Sequence, residues 1–523
     1  MPLSLADFKS EPTKVRHPVY EGSLLYTTAP EWSTGEVLLA SAYRRLVLGV
    51  NESDVDSDNI MRTPALMPEA VGGCAVWTPL LTARGGITSP LRHGQYSPTA
   101  SRQLMPLVPT IARIAGVLGK RPRSRWNPSN LLLEVIGTGR GKATGEALVV
   151  ELGKALEVSS SRGDEDVFAR FVEDALQQGL DGIEPVPVRP APYMALRLGD
   201  ERLRAYRSAT AAQTRRCPAE RFCVDLPTVL ATKKKLTRRQ WTVLVESALR
   251  LGLGMHVLWT CNANIIVWNK VLTVASGEAP PSPAVVERAV WEPHDDAWPL
   301  LELGTNAKPL IERMIEEYAY ARTGLNFLLC KLEEAGVAWP EASPIGHTSN
   351  PVKLAPNALA DFIAHVHTHR HAIDSADAGQ WLRAQVRELF DTREDLRALA
   401  QRTRGYTKNL FEFARHSLGQ VQADDPDQRC YDLSYLLEYT DERKPLPVHP
   451  GPAMLVTLVH ACCAVNPEIP VSLDDFRRHL WDYGLRVPAG ELMHGKTGRD
   501  LSLLGLVVDS PDAAGGRLLV KPF

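Results

Sequence analysis

The sequence predicts a multi-domain α+β protein with a mixed N-terminal half, a helical middle and a C-terminal module of helices and a hairpin. The length of 523 residues is typical of about three domains. In the N-terminal half, short apolar runs alternate with Gly and Pro, as in strands and turns, whereas residues 300–418 show mainly helical spacing. The composition is 44% hydrophobic and 23% charged, which excludes a collagen-like, coiled-coil or wholly disordered chain.

Two Pro-rich segments are the candidate linkers, at residues 277–283 and 444–452. Composition and pattern change on either side of them. We therefore predict a mixed N-terminal domain, a basic helix and hairpin segment, a helical domain and a C-terminal module, over residues 1–190, 191–280, 284–445 and 451–523.

In the N-terminal half, the run Leu131–Ile136 predicts a strand, which a Gly-rich loop and a helix follow. The spacing over residues 101–119 predicts an earlier helix, although two prolines interrupt its first half. The Gly137–Gly145 loop does not fit a P-loop, because Ala143 stands where that motif needs a hydroxyl. Its amides could still bind an anion, and a nucleotide-dependent enzyme stays an alternative.

Residues 201–250 form a basic segment, with twelve basic and four acidic residues, a difference of +8. Thr237–Leu251 predicts a helix, with Trp241 on its apolar face. Beyond it, we predict a hairpin that turns at Asn262-Ala-Asn264. The apolar stretch 251–268 contains His256 and these asparagines, so we interpret it as buried core and predict no membrane span.

The string from His365 to His371 is the most unusual in the helical middle. On a helix, Asp361, His365 and His369 would share one face, as a carboxylate and two imidazoles could around a metal. No His-Glu-x-x-His motif supplies a general base. A solvated helix end is the alternative, and we predict no cofactor.

The C-terminal module has a recognisable order of elements. Pro452–Val465 predicts a first helix, and Ser472 with Asp475 predicts a capping box that opens a second helix. A third helix begins near Lys496, and two apolar runs, 506–509 and 517–520, flank a predicted turn. Over residues 451–523 this order resembles a winged-helix domain.

The resemblance implies a third helix in the major groove of DNA and a wing on its backbone. Lys496, Arg499 and Arg517 would be the contacting residues. However, the module carries seven basic and eight acidic residues, a net charge of −1, so phosphate neutralisation would contribute little. A protein-docking or purely structural module is the alternative.

Two further stretches join basic residues to an aromatic one, a combination that suits phosphates and unstacked bases. A solvated face is the alternative for both. The candidate nucleic-acid contacts in these stretches are Lys120, Arg121, Arg123, Arg125, Trp126, Lys233, Lys234, Lys235, Arg238, Arg239 and Trp241.

The net charge of −2 conceals a marked asymmetry, since residues 1–60 hold five basic and nine acidic residues. We therefore hypothesise a cytoplasmic, non-enzymatic protein that binds nucleic acid or serves a nucleic-acid-handling system with protein partners, such as bacterial antiviral defence or a mobile element. No secretory signal or disulfide spacing is visible. One alternative is a metal- or nucleotide-dependent enzyme that uses His365–His371 or Gly137–Gly145. Another is an adaptor that docks only proteins through the winged helix.

Overall fold

The computed structural model describes residues 5–13, 38–39, 42, 46, 86–87, 105–106, 128–140, 142–156, 217–291, 300–337, 358–373, 377–420, 432–438, 446–464, 468–510 and 516–523. Helices make up 73% of this part of the chain, and the strands are short. The fold is therefore dominated by helices. The finer α+β, multi-domain layout stays a prediction.

The N-terminal elements are mostly helices. They are α1 (Leu5–Ser10), β1 (Gly86–Ile87), β2 (Met105–Pro106), α2 (Pro128–Arg140), α3 (Lys142–Leu156) and α4 (Pro218–Ala231). β1 and β2 pair antiparallel, so the two described residues of the helix predicted over 101–119 are extended instead.

The predicted strand at Leu131–Ile136 and the loop after it are wrong. The run lies inside α2, and the Gly-rich stretch is divided between the end of α2 and the start of α3. Gly139 shows why glycine occurs there, since a Cβ at this position would approach the carbonyl oxygen of Ala219 in α4 to 2.3 Å. The glycine lets two helices pack closely and does not open a loop.

Helix α5 (Arg238–Ala275) has 38 residues and forms the centre of the fold. Thr237 caps its first turn in a reciprocal capping box with Gln240, as the predicted helix start requires. Nearly every side chain from Trp241 to Ala275 is buried or half-buried. The helix is surrounded on all sides, by α2, α4 and helices that follow it in the chain.

The predicted hairpin around Asn262-Ala-Asn264 is wrong, because α5 continues through it. The buried Asn264 amide donates to the carbonyl oxygen of Thr260, 2.8 Å away and one turn earlier. This local bond satisfies a polar side chain inside the core, so the asparagine does not need a turn. The interpretation of residues 251–268 as buried core agrees with the structure, since almost all of them are buried.

The middle of the chain is helical, as its spacing predicts. Its elements are α6 (Pro283–Trp291), β3 (Leu301–Glu302), α7 (Ala307–Glu334), α8 (Ala358–Thr368), α9 (Ala378–Thr392), α10 (Glu394–Ala400) and α11 (Tyr406–Leu418). Helices α6, α7, α8, α9 and α11 pack on α5.

The C-terminal elements follow in the predicted order. They are α12 (Pro452–Ala464), α13 (Leu473–Asp482), β4 (Leu485–Arg486), α14 (Glu491–His494), α15 (Lys496–Leu503), β5 (Val507–Asp509) and β6 (Arg517–Leu519). Ser472 and Asp475 form the predicted capping box, and β5 and β6 form the predicted antiparallel hairpin. β4 pairs in parallel with β3, which joins this module to the middle of the chain. The winged-helix resemblance itself stays a prediction.

Buried apolar side chains from Leu5 to Leu519 belong to one connected cluster. Helices α4, α5 and α12 contact one another within it, so the basic segment and the C-terminal module share this core. The division into four domains stays a prediction. None of the helices in the described ranges is long and apolar enough to cross a membrane.

Candidate nucleic-acid interface

The turn between α4 and α5 carries three consecutive lysines. Buried Thr232 opens the turn, and its hydroxyl donates to the carbonyl oxygen of Val229, 2.7 Å away. Lys234 and Lys235 follow as exposed side chains, and no carboxylate in the described part of the chain pairs with either. These two candidates are therefore exposed cations, as is expected of side chains in a short surface turn. Their role as nucleic-acid contacts stays a prediction.

Trp241 does not belong to this exposed surface. Its side chain is fully buried, and its indole N–H donates to the carbonyl oxygen of Leu230, 3.3 Å away. The Lys233 ammonium lies 5.6 Å from the centroid of the Trp241 ring, within reach of a cation–π interaction. The prediction that Trp241 stacks on a base is therefore wrong. It anchors the lysine turn to the core instead.

A fourth lysine, Lys521, lies close enough to His460 to act on its charge, as Lys235 does. His460 of α12 reveals this: burial is the main cause that lowers its pKa, and the charges of Lys521 and Lys235 lower it further. The imidazole Nε2 lies 3.3 Å from the carbonyl oxygen of Thr228 in α4, and its ring is 5.5 Å from that of Phe523. Contacts between distant segments bring Lys521 here, so sequence spacing could not predict it. We call Lys233, Lys234, Lys235 and Lys521 the basic surface.

The three candidates in the C-terminal module differ in their availability. Lys496 forms an ion pair with Glu438 at 2.5 Å, and Arg517 forms one with Asp509 at 3.0 Å. Arg499 is exposed, with no carboxylate partner in the described residues. Only Arg499 therefore presents a charge that no neighbour offsets.

The described stretches 432–438 and 446–450 occupy part of the surface of α15, through Glu438 and His449. Asp500, one turn after Lys496, lies 2.7 Å from Nε2 of the buried His449. Burial is the main cause that lowers the pKa of His449, and the hydrogen bond to Asp500 opposes it. Two contacts thus hold this face of α15 against the protein's own chain.

Other predicted contacts lie outside the part of the chain that the structure describes. The backbone of Arg238 and Arg239 forms the first turn of α5, but their side chains are not described. The whole stretch from Lys120 to Trp126 is also outside; it holds Lys120, Arg121, Arg123, Arg125 and Trp126. These remain sequence predictions.

Asp361, His365 and His369, the weak metal candidates of the sequence, do not converge into a metal face in the described residues. The rings of His365 and His369 are neighbours, with centroids 4.4 Å apart, and burial with the nearby His369 lowers the pKa of His365. Within the described ranges, however, no three His, Cys, Asp or Glu side chains converge as metal ligands, so Asp361 does not complete a site. The anion-binding loop considered at Gly137–Gly145 is also wrong, because residues 137–140 lie in α2 and residues 142–145 lie in α3.

A buried polar network joins α4 to α13. Asp225 is buried, and its carboxylate accepts hydrogen bonds from the Tyr483 hydroxyl at 2.8 Å and from Arg221 Nε at 2.9 Å. His479 Nε2 lies 3.0 Å from the same carboxylate. Burial alone would raise the pKa of Asp225, but His479 and Arg221 together lower it below its ordinary value. Local sequence patterns do not reveal this network, because its members on α4 and at the end of α13 are about 250 residues apart.

An open pocket of about 350 Å³ lies beside this network, and Arg221, His479, Trp481 and Cys462 contribute to its wall. Burial raises the pKa of the Cys462 thiol, so the sulfur stays protonated at neutral pH. Both Arg221 and His479 are engaged by Asp225. This arrangement suits a structural network better than nucleophilic catalysis.

No known protein family, characterised protein or solved structure matches this chain. In the described part of the chain, the exposed cations of the basic surface are the most direct indication of a ligand.

Proposed function

We propose that this protein binds nucleic acid, without catalysing a reaction on it, through the basic surface. The observation that carries the proposal is the exposure of Lys234 and Lys235 without a carboxylate partner in the described residues. Lys521, which acts on His460 as Lys235 does, adds a third exposed ammonium group. Cations that are already solvated and unpaired can bind phosphates without first breaking an ion pair.

The position of the lysine turn adds to its positive potential. The turn directly precedes α5, and the N-terminal end of a helix carries a partial positive charge from its unpaired N–H groups. Because Trp241 is buried, the turn presents no exposed ring to a base. Contacts here would reach the sugar–phosphate backbone, which fixes position but does not read sequence.

The C-terminal module supports the same proposal in a secondary role. Ser472, between α12 and α13, bridges Leu518 of β6, so a third extended segment flanks the hairpin as in a winged-helix sheet. Arg499 would be its main contact, because the charges of Lys496 and Arg517 are offset by neighbouring carboxylates. We place the protein in the cytoplasm as an accessory of a nucleic-acid-handling system with protein partners. The six described cysteines support a reducing compartment, since all are free thiols.

Binding to a fluorescently labelled 30-base-pair DNA duplex, and to single-stranded DNA and RNA of the same length, tests the proposal at about 50 mM salt. The double variant Lys234→Glu/Lys235→Glu should bind on the order of 100-fold more weakly, because each phosphate contact contributes about 0.9 to the salt slope. The slope of log K against log salt should fall by about 2. Negative side chains are favourable near the N-terminal end of a helix, so the two glutamates just before α5 should not disturb the fold.

A matched control is Lys154→Glu/Arg313→Glu, which makes the same change in net charge at exposed positions of α3 and α7. This control should lose much less affinity than the lysine-turn variant. Equal losses in both variants would show that only net charge matters. Absence of binding by the wild type to all three probes at low salt would refute the proposed function.

A further inference from the structure

Large apolar side chains are exposed around the C-terminal hairpin. Seven such side chains are exposed in the described residues, and four of them lie here: Leu503, Leu504, Val508 and Val520. Leu503, at the end of α15, is 84% exposed. Clustered exposure of this kind is uncommon on a surface that faces only water.

Strand β5 is the outer strand of this small sheet. The other strand, β6, lies between β5 and the segment before α13. Its Leu519 N–H donates to the carbonyl oxygen of Val471 in that segment, 2.8 Å away. β6 therefore has neighbours on both sides, whereas β5 pairs only with β6 among the described strands. An edge of this kind can accept another strand.

The hydrogen bonds of the hairpin show which main-chain groups of β5 face β6 and which face away from it. Ser510 N–H donates to the carbonyl of Gly516, and Val520 N–H donates to that of Leu506, both at 2.9 Å. In an antiparallel pair the hydrogen-bonded positions alternate with open ones. Val507 is therefore at an open position, as is the third residue of the strand, and their N–H and C=O groups point to the free edge.

The unpaired charge on α15, the helix that contacts β5, is positive. Arg499 lies one turn before Leu503 on α15, is exposed, and has no carboxylate partner in the described residues. The nearby carboxylates, Asp500 and Asp509, are engaged by His449 and Arg517. A second copy of the chain would bring a second Arg499 to the same surface, whereas a segment with a carboxylate would complement it.

We propose that the edge of β5, together with Leu503 and Arg499, docks an extended segment of a partner protein by strand addition. The segment would carry apolar residues at alternate positions and at least one Asp or Glu. Main-chain hydrogen bonds to the free edge would supply affinity, and the apolar and cationic side chains would supply specificity. This surface is separate from the lysine turn. It shares Arg499 with the secondary contact proposed for the C-terminal module, so the peptide test below is made without nucleic acid.

Selection of phage-displayed random 12-residue peptides on the immobilised full-length chain tests this proposal. The enriched peptides should alternate apolar residues and contain a carboxylate. Leu503→Ser should weaken the synthetic peptides about tenfold or more, because a buried leucine contributes about 1.5–3 kcal/mol. The matched control is Val285→Ser on α6, where the side chain is 49% exposed, and it should leave affinity unchanged.

Two further measurements sharpen the test. Arg499→Glu should lower the affinity of the protein for the acidic peptide. A peptide with Lys in place of its acidic residue should restore binding to the Arg499→Glu variant. Only alternate N–H groups of an added strand point to β5. N-methylation of that set of peptide amides should abolish binding, and N-methylation of the other set should not. Failure to enrich such peptides, equal affinity for Leu503→Ser, or a dimer in light scattering that Leu503→Ser dissociates would overturn the proposal. The thermal midpoint of Leu503→Ser should equal that of the wild type, because the side chain is exposed.

Discussion

Replacing Asp225 with alanine should weaken the attachment of α13 to α4 severely. The carboxylate is 3% exposed and lies within hydrogen-bonding distance of Tyr483, Arg221 and His479. Its removal would leave the buried Tyr483 hydroxyl and a largely buried guanidinium without their acceptor. Such a loss is costly because the remaining groups cannot regain the water that they gave up on folding.

The expected cost is about 3–5 kcal/mol, the usual range for a buried charge network that loses one partner. Asp482 lies 3.9 Å from Arg221 and limits the loss at the guanidinium. Tyr483→Phe removes only the hydroxyl and should cost about 1.5–3 kcal/mol, because its acceptor is charged. The double variant should cost less than the sum of the two single losses, since both remove the same bond.

Urea unfolding, followed by tryptophan fluorescence at pH 7, measures these losses. Asp474→Ala is the matched control, because this aspartate on α13 has a largely exposed side chain and makes only a surface pair with Arg477. It should change stability by less than about 0.5 kcal/mol. Since the folded-state pKa of Asp225 is lowered, its stabilisation holds above about pH 4 and is lost as pH falls through that lowered value. A loss under about 1 kcal/mol for Asp225→Ala would refute the reasoning.

Two further substitutions probe α5. The buried Glu246 carboxylate accepts hydrogen bonds from the main-chain N–H groups of residues 38 and 39, and burial raises its pKa to about 7. Its contribution to stability is therefore fully present below about pH 4.5 and is lost as the pH rises through 7. The free energy of unfolding, measured in urea titrations, should therefore fall less between pH 4.5 and pH 7 in Glu246→Gln than in the wild type, by up to about 3 kcal/mol. The same pH profile in both proteins would contradict this prediction. Gly379→Ala should lower the thermal midpoint, at a cost of about 1–3 kcal/mol, because its Cβ would come within 2.2 Å of the Leu272 carbonyl oxygen. Ser276→Ala should not rescue it, since that carbonyl remains; full rescue would place the clash at the serine hydroxyl.

The predictions from sequence succeeded where local chemistry decides the structure. The capping residues Thr237 and Ser472 begin helices, because each hydroxyl accepts a main-chain N–H bond within its own turn. Helical spacing also predicted the helices that the structure describes within residues 300–418. Both signals are complete within a few residues, so the distant chain does not alter them.

The failures share a physical cause, which is burial on all sides. A short apolar run such as Leu131–Ile136 has no polar face, so its period cannot distinguish a strand from a buried helix. Glycine and asparagine normally favour turns, yet Gly139 permits close helix packing and Asn264 is satisfied by the preceding turn. Only tertiary contacts decide these cases.

The candidate site shows the same division. The exposure of Lys234 and Lys235 follows from a run of like charges in a short turn. Trp241 was misassigned as a nucleic-acid contact although its spacing with Leu244, Val245 and Ala248 already indicated the apolar face of a helix. The approach of Lys521 depends on residues that are almost 300 positions away, which no local pattern records.

The enclosure of α5 has a practical consequence for how this chain can be produced. Its neighbours come from both sides in sequence, from α2 and α4 before it to α12 almost 200 residues after it. During synthesis the ribosome releases this apolar helix long before its last partners emerge. A fragment that stops near residue 280 would present those uncovered faces to other chains. Expression trials should therefore keep α5 together with α12, and should expect chaperone dependence of truncated forms.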